Sequence, residues 1–593
     1  MTGPEATNIN RIWADLLVEE LVRAGVGLFC LAPGSRSTPL TTAVAANPRA
    51  RDLMHFDERG SAFCALGFAR ATRRPAAWIT TSGTAVANGM PAVVEAATDG
   101  VPMVLLTADR PPELRATGAN QTVDQVKLFG DYVRWAFDLP VPTVDIDPAF
   151  VLTTADQAVY RARRAPSGPV HLNAMFREPL APDPDGGSYA DYLIMLGGWM
   201  ERDEPYTRYA GAPPYPTDEE VGALWARLED AERGLIVAGR LDTRAQADAV
   251  RRLSDRLAWP VLPDVCSQLR LGGGSRPDHP AYYYDLMLTH PTFTSSYRPD
   301  AVLQFGARPT SKRLGRYLAD ARPATHIVVC ERPDRIDPRH GVTDRVEADV
   351  VRFCRAVVEQ IDEERAAGAW TRGWTAASES VQSVLDEHVP RTLSEPAVAR
   401  LVTALAPEGS GLVLASSMPV RDVDMYGSVV DGAARGEAPL VVANRGASGI
   451  DGTVATAAGL AAGLQRLTTL VIGDLALLHD LNSLALIAAS TTPVVVLAVN
   501  NQGGGIFSFL PIAEHEDVFE PYFGTPHAYE FEHAAAVFGL PYERARSVAE
   551  LEAAYAGAVE DGRSCLIEVR TNRSDNLQRH RRLEALAAGA IEP

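Results

Sequence analysis

The chain has 593 residues, a formal net charge of -19 and 46% hydrophobic residues. At roughly 150 residues per domain, this length predicts three or four domains rather than one core. The acidic charge argues against a nucleic-acid partner, which needs clustered basic residues. No apolar run approaches the roughly 20 residues that span a bilayer. We identify no signal peptide, and the six cysteines are widely spaced without zinc-type CxxC pairs. These features favour a cytoplasmic location without integral membrane contact.

Short apolar runs alternate with helical patterns along the chain, which is typical of βαβ units and parallel sheets covered by helices. The first third has predicted strands at 28–32, 54–57, 77–81, 102–108 and 168–173. A stretch rich in Pro, Asp, Gly and Tyr at 182–216 is interpreted as a linker or insertion. Later predicted strands lie at 235–239, 301–306, 326–330, 411–416, 440–443, 469–472, 494–499 and 566–569. We therefore predict an α/β protein of three domains, each a mostly parallel sheet flanked by helices.

The strongest local pattern joins the ends of two successive strands. Gly473 and Asp474 end one apolar strand, and Asn501 ends the next, with glycines at 503–505. The carboxyl ends of parallel strands face one crevice, so Asp474, Asn501 and the Gly503 carbonyl are predicted to offer hard oxygen ligands to Mg²⁺ beside a diphosphate. Taken alone, the Gly-Asp dipeptide at 473–474 or the Asn-Asn dipeptide at 500–501 is more often an ordinary turn. Their spacing favours the metal site.

Glu58 is the second candidate, because it follows a short strand and opens a helix of small residues. A catalytic carboxylate and a glutamate that only stabilises the helix dipole both fit this place. The run 78–84 continues a strand into a Ser/Gly/Thr turn, a pattern that does not distinguish a phosphate loop from a helix cap.

In this order the motifs resemble the thiamine diphosphate enzyme superfamily, and within it the family of 2-succinyl-5-enolpyruvyl-6-hydroxy-3-cyclohexene-1-carboxylate synthases, below called the cyclohexene-carboxylate synthase family. Leu475 stands where the superfamily has the second glycine of a Gly-Asp-Gly motif, a departure that this family tolerates. The central part contributes only 308–314, and 182–216 matches no motif. The segments that carry the resemblance are 33–39, 55–60, 108–114, 118–121, 444–452 and 500–507.

The resemblance implies a pyrimidine-binding domain at 1–181, a central domain at 217–365 and a diphosphate-binding domain at 366–593. It implies thiamine diphosphate with Mg²⁺, or Mn²⁺, as cofactors of a transferase in menaquinone biosynthesis. That enzyme decarboxylates 2-oxoglutarate and adds the succinyl-semialdehyde carbanion to isochorismate. It also implies a homodimer or homotetramer, because in the superfamily the cofactor lies between the first domain of one chain and the third domain of another.

Site residues follow from the resemblance by matched position. Glu58 is implied to bond the aminopyrimidine ring of the cofactor, and Ile450 to prop the cofactor in its bent form. An isolated arginine is most often a surface charge here, since all but two of the 56 basic residues are arginine. Ser417 and Arg421 are spaced to share one helix face. The implied catalytic residues are Glu58 and Gln121; cofactor residues add Ile506 and Phe507; substrate residues are Ser35, Arg36, Arg110, Asn120, Lys312, Arg313, Ser417, Arg421 and Arg445.

Two alternatives remain at this stage. One is another decarboxylating thiamine ligase, such as an acetohydroxyacid synthase or a 2-hydroxyacyl lyase, which would lack the dense anion-binding set. The other is a catalytically silent cofactor-binding relative, against which the joint presence of Glu58, Asp474 and Asn501 argues.

Overall fold

Three parallel sheets organise the computed structural model, which describes residues 7–272, 276–389, 391–430 and 436–592. All strand pairs within these sheets are parallel, and α-helices connect most successive strands, so the predicted α/β fold is confirmed. The central strands are apolar along their whole length because both faces are covered. The strands of the first sheet are β1 (Leu28–Leu31), β2 (Asp52–Met54), β3 (Ala76–Thr80), β4 (Met103–Asp109), β5 (Ala136–Leu139) and β6 (Pro169–Met175).

The second and third sheets continue the chain order. The second sheet contains β7 (Gly234–Ala238), β8 (Val261–Pro263), β9 (Ala301–Phe305), β10 (Thr325–Cys330) and β11 (Asp344–Glu347). The third contains β12 (Gly411–Leu414), β13 (Leu440–Val442), β14 (Thr468–Gly473), β15 (Val494–Asn500), β16 (Tyr542–Ala545) and β17 (Cys565–Arg570).

The first and third sheets share one topology. The first is ordered β2-β1-β3-β4-β6-β5 and the third β13-β12-β14-β15-β17-β16, so corresponding strands occupy corresponding places. The second sheet is ordered β11-β10-β9-β7-β8. In both six-stranded sheets the third and fourth strands in chain order lie at the centre, and the loops after them leave from one edge.

Helices of the first half of the chain are α1 (Ile9–Arg23), α2 (Thr38–Ala46), α3 (Glu58–Thr72), α4 (Thr84–Asn88), α5 (Met90–Asp99), α6 (Ala149–Arg163), α7 (Ala190–Ile194), α8 (Asp218–Trp225), α9 (Arg244–Leu257), α10 (Tyr284–Met287) and α11 (Pro291–Ser296). The second half adds α12 (Lys312–Ala321), α13 (Val350–Glu359), α14 (Ala369–His388), α15 (Glu395–Leu405), α16 (Met418–Tyr426), α17 (Thr453–Leu464), α18 (Asp474–His479), α19 (Leu484–Ala489), α20 (Glu516–Phe519), α21 (Phe531–Val537), α22 (Val548–Glu560) and α23 (Arg573–Gly589). Among the described residues, none of these helices combines the length and hydropathy needed to cross a membrane.

The chain divides into two compact units that are not continuous in sequence. The first unit consists of residues up to Ala212 together with Asn444–Gln465 and His479–Thr492. The second consists of Pro213–Ala443, Arg466–Leu478 and the residues from Pro493 onward. The predicted boundaries of the three domains in sequence stay predictions, since this division follows contacts and not the order of the chain.

Within the first unit, α3 and α17 pack closely because both carry glycine at the contact. A Cβ on Gly67 would lie 2.1 Å from the carbonyl oxygen of Thr456, and one on Gly459 would lie 2.0 Å from that of Cys64. Backbone therefore meets backbone at this contact, and no larger residue fits there.

The stretch at 182–216 contains ordered structure that packs on the first sheet. Tyr192 and Trp199 are buried in the hydrophobic core of the first unit. The indole Nε1 of Trp199 donates to Glu20 Oε2 at 2.6 Å, and that of Trp13 donates to Tyr192 Oη at 3.0 Å. Its aromatic residues thus supply core contacts to the first unit.

Candidate active site

In the first unit, loops after neighbouring strands carry several of the predicted site residues. Arg36 follows β1, Glu58 follows β2 and Arg110 follows β4. These strands are neighbours through β3 and run parallel. Their carboxyl ends therefore share one edge of the sheet, which is where ligands bind in open α/β sheets.

Arg36 and Arg110 form a pair of buried cations at this edge, each 9% exposed. Arg36 Nη1 donates to the carbonyl of Phe176 at 2.9 Å, and its Nε, though buried, has no hydrogen-bond partner among the described residues. Arg110 donates to Ser82 Oγ. Burial and the nearby charge of Arg36 both lower the pKa of Arg110. Two adjacent guanidinium groups are suited to an anion with more than one carboxylate.

Gln121 lies beside the same edge, since its Nε2 donates to the carbonyl of Ser82 at 2.8 Å. It adopts a left-handed backbone conformation with φ of 58°. Asn120 and Ser35 are exposed. The carbonyl of Ser35 accepts from the main-chain N–H of Thr38 at 3.1 Å and so starts the turn into α2.

Gln125 is a buried residue of this edge that sequence patterns do not reveal. Its Oε1 accepts from the main-chain N–H of Gly83 at 3.0 Å, and its Nε2 donates to Asn173 Oδ1 at 3.0 Å. The side chain thus ties the loop after β3 to β6. No local spacing marks Gln125, because these partners lie 42 and 48 residues away.

Glu58 is the first residue of α3 and is partly exposed. The side chain of Asp57 caps the helix by accepting from the main-chain N–H groups of Arg59 and Gly60, so Glu58 is not needed as the cap. Its Oε2 accepts from Asn88 Nδ2 at 3.2 Å. The carboxylate is therefore oriented on one side and accessible on the other.

The loop that contains Arg445 and Ile450 is held by a buried acidic group. Main-chain N–H groups of Gly446 and Ala447 donate to Glu95 at 3.0 and 2.7 Å, and burial together with Asp99 raises the pKa of Glu95 to about 7. Arg445 is half-buried, whereas Ile450 is 38% exposed. A fixed loop that exposes a bulky apolar side chain can support the hydrophobic part of a ligand.

In the second unit, the two side chains predicted to bind the metal stand at the ends of neighbouring strands. Asp474 follows β14 and Asn501 follows β15. Asp474 Oδ1 accepts from the N–H of Leu475 at 2.6 Å, and His527 Nε2 lies 3.2 Å from Oδ2 without a hydrogen bond. Burial raises the pKa of Asp474, and hydrogen bonds from Gly503 and Leu475 oppose that effect.

The donor set of this site fits a hard cation. Asn501 Nδ2 donates to Glu395 Oε1 at 2.9 Å, while its buried Oδ1 has no partner among the described residues. Gly503 adopts φ of 147°, and a Cβ there would lie 2.1 Å from the carbonyl oxygen of Gly524. A carboxylate, a free amide oxygen and an adjacent glycine loop match what Mg²⁺ prefers. Ile506 and Phe507 follow in a short 3-10 helix, Gly505–Phe509, and both are half-buried.

Ser417 and Arg421 are brought together as their spacing predicts. Ser417 precedes α16 in a strained conformation with φ of 78°, and Arg421 donates to its carbonyl one turn later. Strain of this kind in a residue other than glycine is concentrated at functional sites. The guanidinium of Arg421 is half-buried and close to the strand end that carries Ser417.

Lys312 and Arg313 begin α12 but have different surroundings. Lys312 is exposed. Arg313 donates to Asp285 at 2.6 Å and to Glu584 at 2.5 Å. Burial acts to lower the pKa of Arg313, but the two carboxylates outweigh burial and raise it. Arg313 is thus held by two carboxylates, whereas Lys312 has its ammonium in solvent.

Family models for thiamine pyrophosphate enzymes match along the chain. The N-terminal thiamine pyrophosphate-binding domain matches residues 12–128, the middle domain residues 190–414, and the C-terminal thiamine pyrophosphate-binding domain residues 437–569. A solved structure from Mycobacterium smegmatis, named for a thiamin diphosphate-dependent enzyme, covers 94% of this chain and 99% of its own with a TM-score of 0.70. At 18% identity this likeness shows the fold alone.

Curated relatives match the chain from end to end. A 2-succinyl-5-enolpyruvyl-6-hydroxy-3-cyclohexene-1-carboxylate synthase from Rubrobacter xylanophilus is 57% identical over 98% of this chain and 99% of its own length. One of the same name from Salinibacter ruber is 54% identical over 99% of this chain and 98% of its own. A third, from Chlorobium phaeobacteroides, is 43% identical over 98% of this chain and 99% of its own.

Proposed function

The chain belongs to the cyclohexene-carboxylate synthase family of thiamine diphosphate-dependent enzymes, and we propose that it decarboxylates 2-oxoglutarate and joins the remaining fragment to isochorismate. The products are then 2-succinyl-5-enolpyruvyl-6-hydroxy-3-cyclohexene-1-carboxylate and CO2, in menaquinone biosynthesis. The observation that carries this proposal is 57% identity over 98% of the chain to a synthase of that name.

The cofactor and the side chains of this protein have different roles in the proposed reaction. When bound, thiamine diphosphate supplies the electron sink for decarboxylation, whereas the protein supplies orientation and charge. We assign to Glu58 the binding of the aminopyrimidine ring, since its carboxylate is oriented by Asn88 and still accessible. We assign to Ile450, Ile506 and Phe507 the apolar contacts of the cofactor, and to Gln121 a contact with the reacting substrate.

A divalent cation is assigned to Asp474, Asn501 and the carbonyl of Gly503. The free Oδ1 of Asn501 and the buried carboxylate of Asp474 are donors that Mg²⁺ prefers, and Mn²⁺ accepts the same ligands. A cation bound by these oxygen atoms would neutralise part of the negative charge of the diphosphate and so hold it in the site. The retention of this donor set disfavours a catalytically silent relative.

Both substrates are dianions with two carboxylates each, so a protein of net charge -19 must bind them with a locally basic set of side chains. The buried pair Arg36 and Arg110 is the clearest such set. Arginine forks bind carboxylates in two-point fashion, which also fixes their direction. The remaining assigned substrate residues are Ser35, Asn120, Lys312, Arg313, Ser417, Arg421 and Arg445.

We propose a homodimer as the smallest active form and a homotetramer as the larger alternative. The reason is the family resemblance, in which the pyrimidine-binding domain of one chain meets the diphosphate-binding domain of another. We also place the reaction in the cytoplasm, because the six cysteines are free, buried and far apart in sequence.

One incubation tests the reaction. The purified chain is mixed with thiamine diphosphate, Mg²⁺, 2-oxoglutarate and isochorismate, and the products are analysed by mass. The expected product contains isochorismate plus the fragment of 2-oxoglutarate that remains after loss of CO2. Parallel reactions without isochorismate, or with pyruvate in place of both substrates, test the acetohydroxyacid synthase alternative. Turnover of pyruvate without the mixed product would contradict the proposal.

A further inference from the structure

Glu395 is a buried acid beside the candidate metal site, outside every motif that the sequence singles out. We propose that Glu395 is a positioning residue for this site: it fixes the amide of Asn501 so that the amide oxygen, and not the nitrogen, faces the cation. The inference rests on the proposed function, since it takes Mg²⁺ to bind Asp474 and Asn501.

The hydrogen bonds of Glu395 select one orientation of the Asn501 amide. Glu395 is 4% exposed, and its Oε1 accepts from Asn501 Nδ2 at 2.9 Å and from Thr571 Oγ1 at 3.1 Å. An ionised carboxylate only accepts hydrogen bonds, so it binds the NH2 side of an amide and turns the oxygen away from itself. The oxygen that is turned away is the buried Oδ1 without a partner among the described residues.

An unpaired buried acceptor is costly, and proteins seldom keep one without use. In the opposite orientation the amide would place its oxygen against Glu395 and its NH2 group toward the cation. Both contacts would then be repulsive. Glu395 therefore makes the metal-binding orientation the favourable one before any cation is present.

The space around Glu395 decides which substitution is informative. A cavity of about 680 Å³ is lined by Glu395 together with Thr571 and Asn576. A short side chain at 395 would admit water from this cavity, and water can accept from the Asn501 amide as Glu395 does. Methionine has a similar length and no strong acceptor, while glutamine keeps an oxygen acceptor in place.

The experiment measures thiamine diphosphate binding by calorimetry across a series of Mg²⁺ concentrations, using the full chain. Groups that orient metal ligands typically contribute about 10- to 100-fold in metal affinity. Glu395→Met should raise the Mg²⁺ requirement by about that factor, and Glu395→Gln by less than about threefold. Thr571→Val is the matched control, since it removes the other donor to the same oxygen and leaves Asn501 bonded. It should match the wild type. Thermal unfolding without Mg²⁺ separates loss of fold from loss of metal affinity.

A wild-type Mg²⁺ requirement in folded Glu395→Met would overturn the inference, and so would equal losses in Glu395→Met and Thr571→Val. If Glu395→Met does not fold, Glu395→Leu takes its place, since leucine also lacks an acceptor and is apolar with a similar volume. Its Mg²⁺ requirement should rise by about the same 10- to 100-fold, and a wild-type value overturns the inference. Asp474→Ala distinguishes failure of the metal site from failure of the role of Glu395. If Asp474→Ala binds thiamine diphosphate as the wild type does, the metal site itself is rejected. If Asp474→Ala loses binding while Glu395→Met behaves as the wild type, only the role of Glu395 is rejected.

Discussion

The main-chain N–H of Gly503 donates to Oδ2 of Asp474 at 3.0 Å, although 29 residues separate them. This bond ties the loop after β15 to the acid at the end of β14. Asn501 stands two residues before Gly503, so the same bond helps to set where its amide lies. The glycine loop and both side-chain ligands are therefore arranged as one piece before any ligand arrives.

Replacing Asp474 should separate metal binding from folding. Asp474→Ala removes the carboxylate ligand, so we expect loss of the Mg²⁺-dependent part of thiamine diphosphate binding, measured by calorimetry with and without Mg²⁺. Asp474→Asn keeps an acceptor for the N–H of Gly503 and serves as the control for loop structure. Unchanged affinity in the alanine variant would remove Asp474 from the site.

The proposed assembly predicts complementation between inactive variants. Glu58→Gln and Asp474→Ala should each be inactive alone. If the two residues serve cofactor bound between chains, a mixture should regain part of the activity in hybrid dimers. The assay is turnover of the mixture after subunit exchange, which native mass spectrometry follows. Exchange without regained activity would indicate a site contained within one chain.

The arginines assigned to the substrates should determine kcat/KM without affecting the affinity for thiamine diphosphate. Removing one partner of a buried charged hydrogen bond costs about 2 to 5 kcal/mol. Arg36→Ala and Arg110→Ala, each of which removes one member of the buried pair, should therefore lower kcat/KM by at least about a hundredfold. Lysine at either position should restore only part of the lost kcat/KM, because the point charge of an ammonium cannot make the bidentate contact of a guanidinium.

Steady-state kinetics with each substrate varied separately assigns each arginine to its dianion, and calorimetry checks that thiamine diphosphate affinity is unchanged. Wild-type kcat/KM of these variants for both 2-oxoglutarate and isochorismate would remove these arginines from the substrate site.

Asp156 should make stability depend on pH. It lies on α6, where burial and Glu20 of α1 raise its pKa to about 8. It also accepts from the N–H of Thr207 at 2.7 Å, and burial together with the charge of Asp156 raises the pKa of the Tyr209 phenol. The folded chain thus holds the proton more tightly than the unfolded chain, whose ordinary value is 3.8. The resulting stability is complete below about pH 4 and is lost as pH rises to about 8.

Asp156→Asn tests this directly, since it keeps an acceptor for the N–H of Thr207 and cannot ionise. Its melting temperature should exceed that of the wild type by a small margin at pH 5 and by a larger margin at pH 8.5. A difference of the same size at both pH values would show that the proton of Asp156 does not contribute.

Sequence patterns predict the inner strands better than the outer ones. Four strands without a predicted counterpart, β5, β8, β11 and β16, all lie at sheet edges. β11 reads Asp-Arg-Val-Glu and β16 reads Tyr-Glu-Arg-Ala. Such an edge strand is partly exposed and needs no continuous apolar run, so hydrophobic patterning does not mark it. β8 is buried, but it has only three residues.

The residues of the candidate site likewise fall into those that the sequence predicts and those that it does not. Asp474 and Asn501 could be predicted because each ends a buried strand, and parallel topology brings such ends together. Gln125 and Glu395 could not, because the contacts that define them join residues 42 and 106 positions apart. Their positions follow from the packing of whole elements, which a local motif does not contain.

The close packing of α3 against α17 has a consequence for synthesis on the ribosome. The first unit needs Thr453–Leu464, which emerge only after the entire central sheet. At about 5 to 20 residues per second, the glycine-bearing face of α3 waits roughly 20 to 80 seconds for its partner. In a nascent chain that has not reached residue 453, this face of α3 is therefore exposed to solvent. Chaperone binding is most useful at this stage of synthesis.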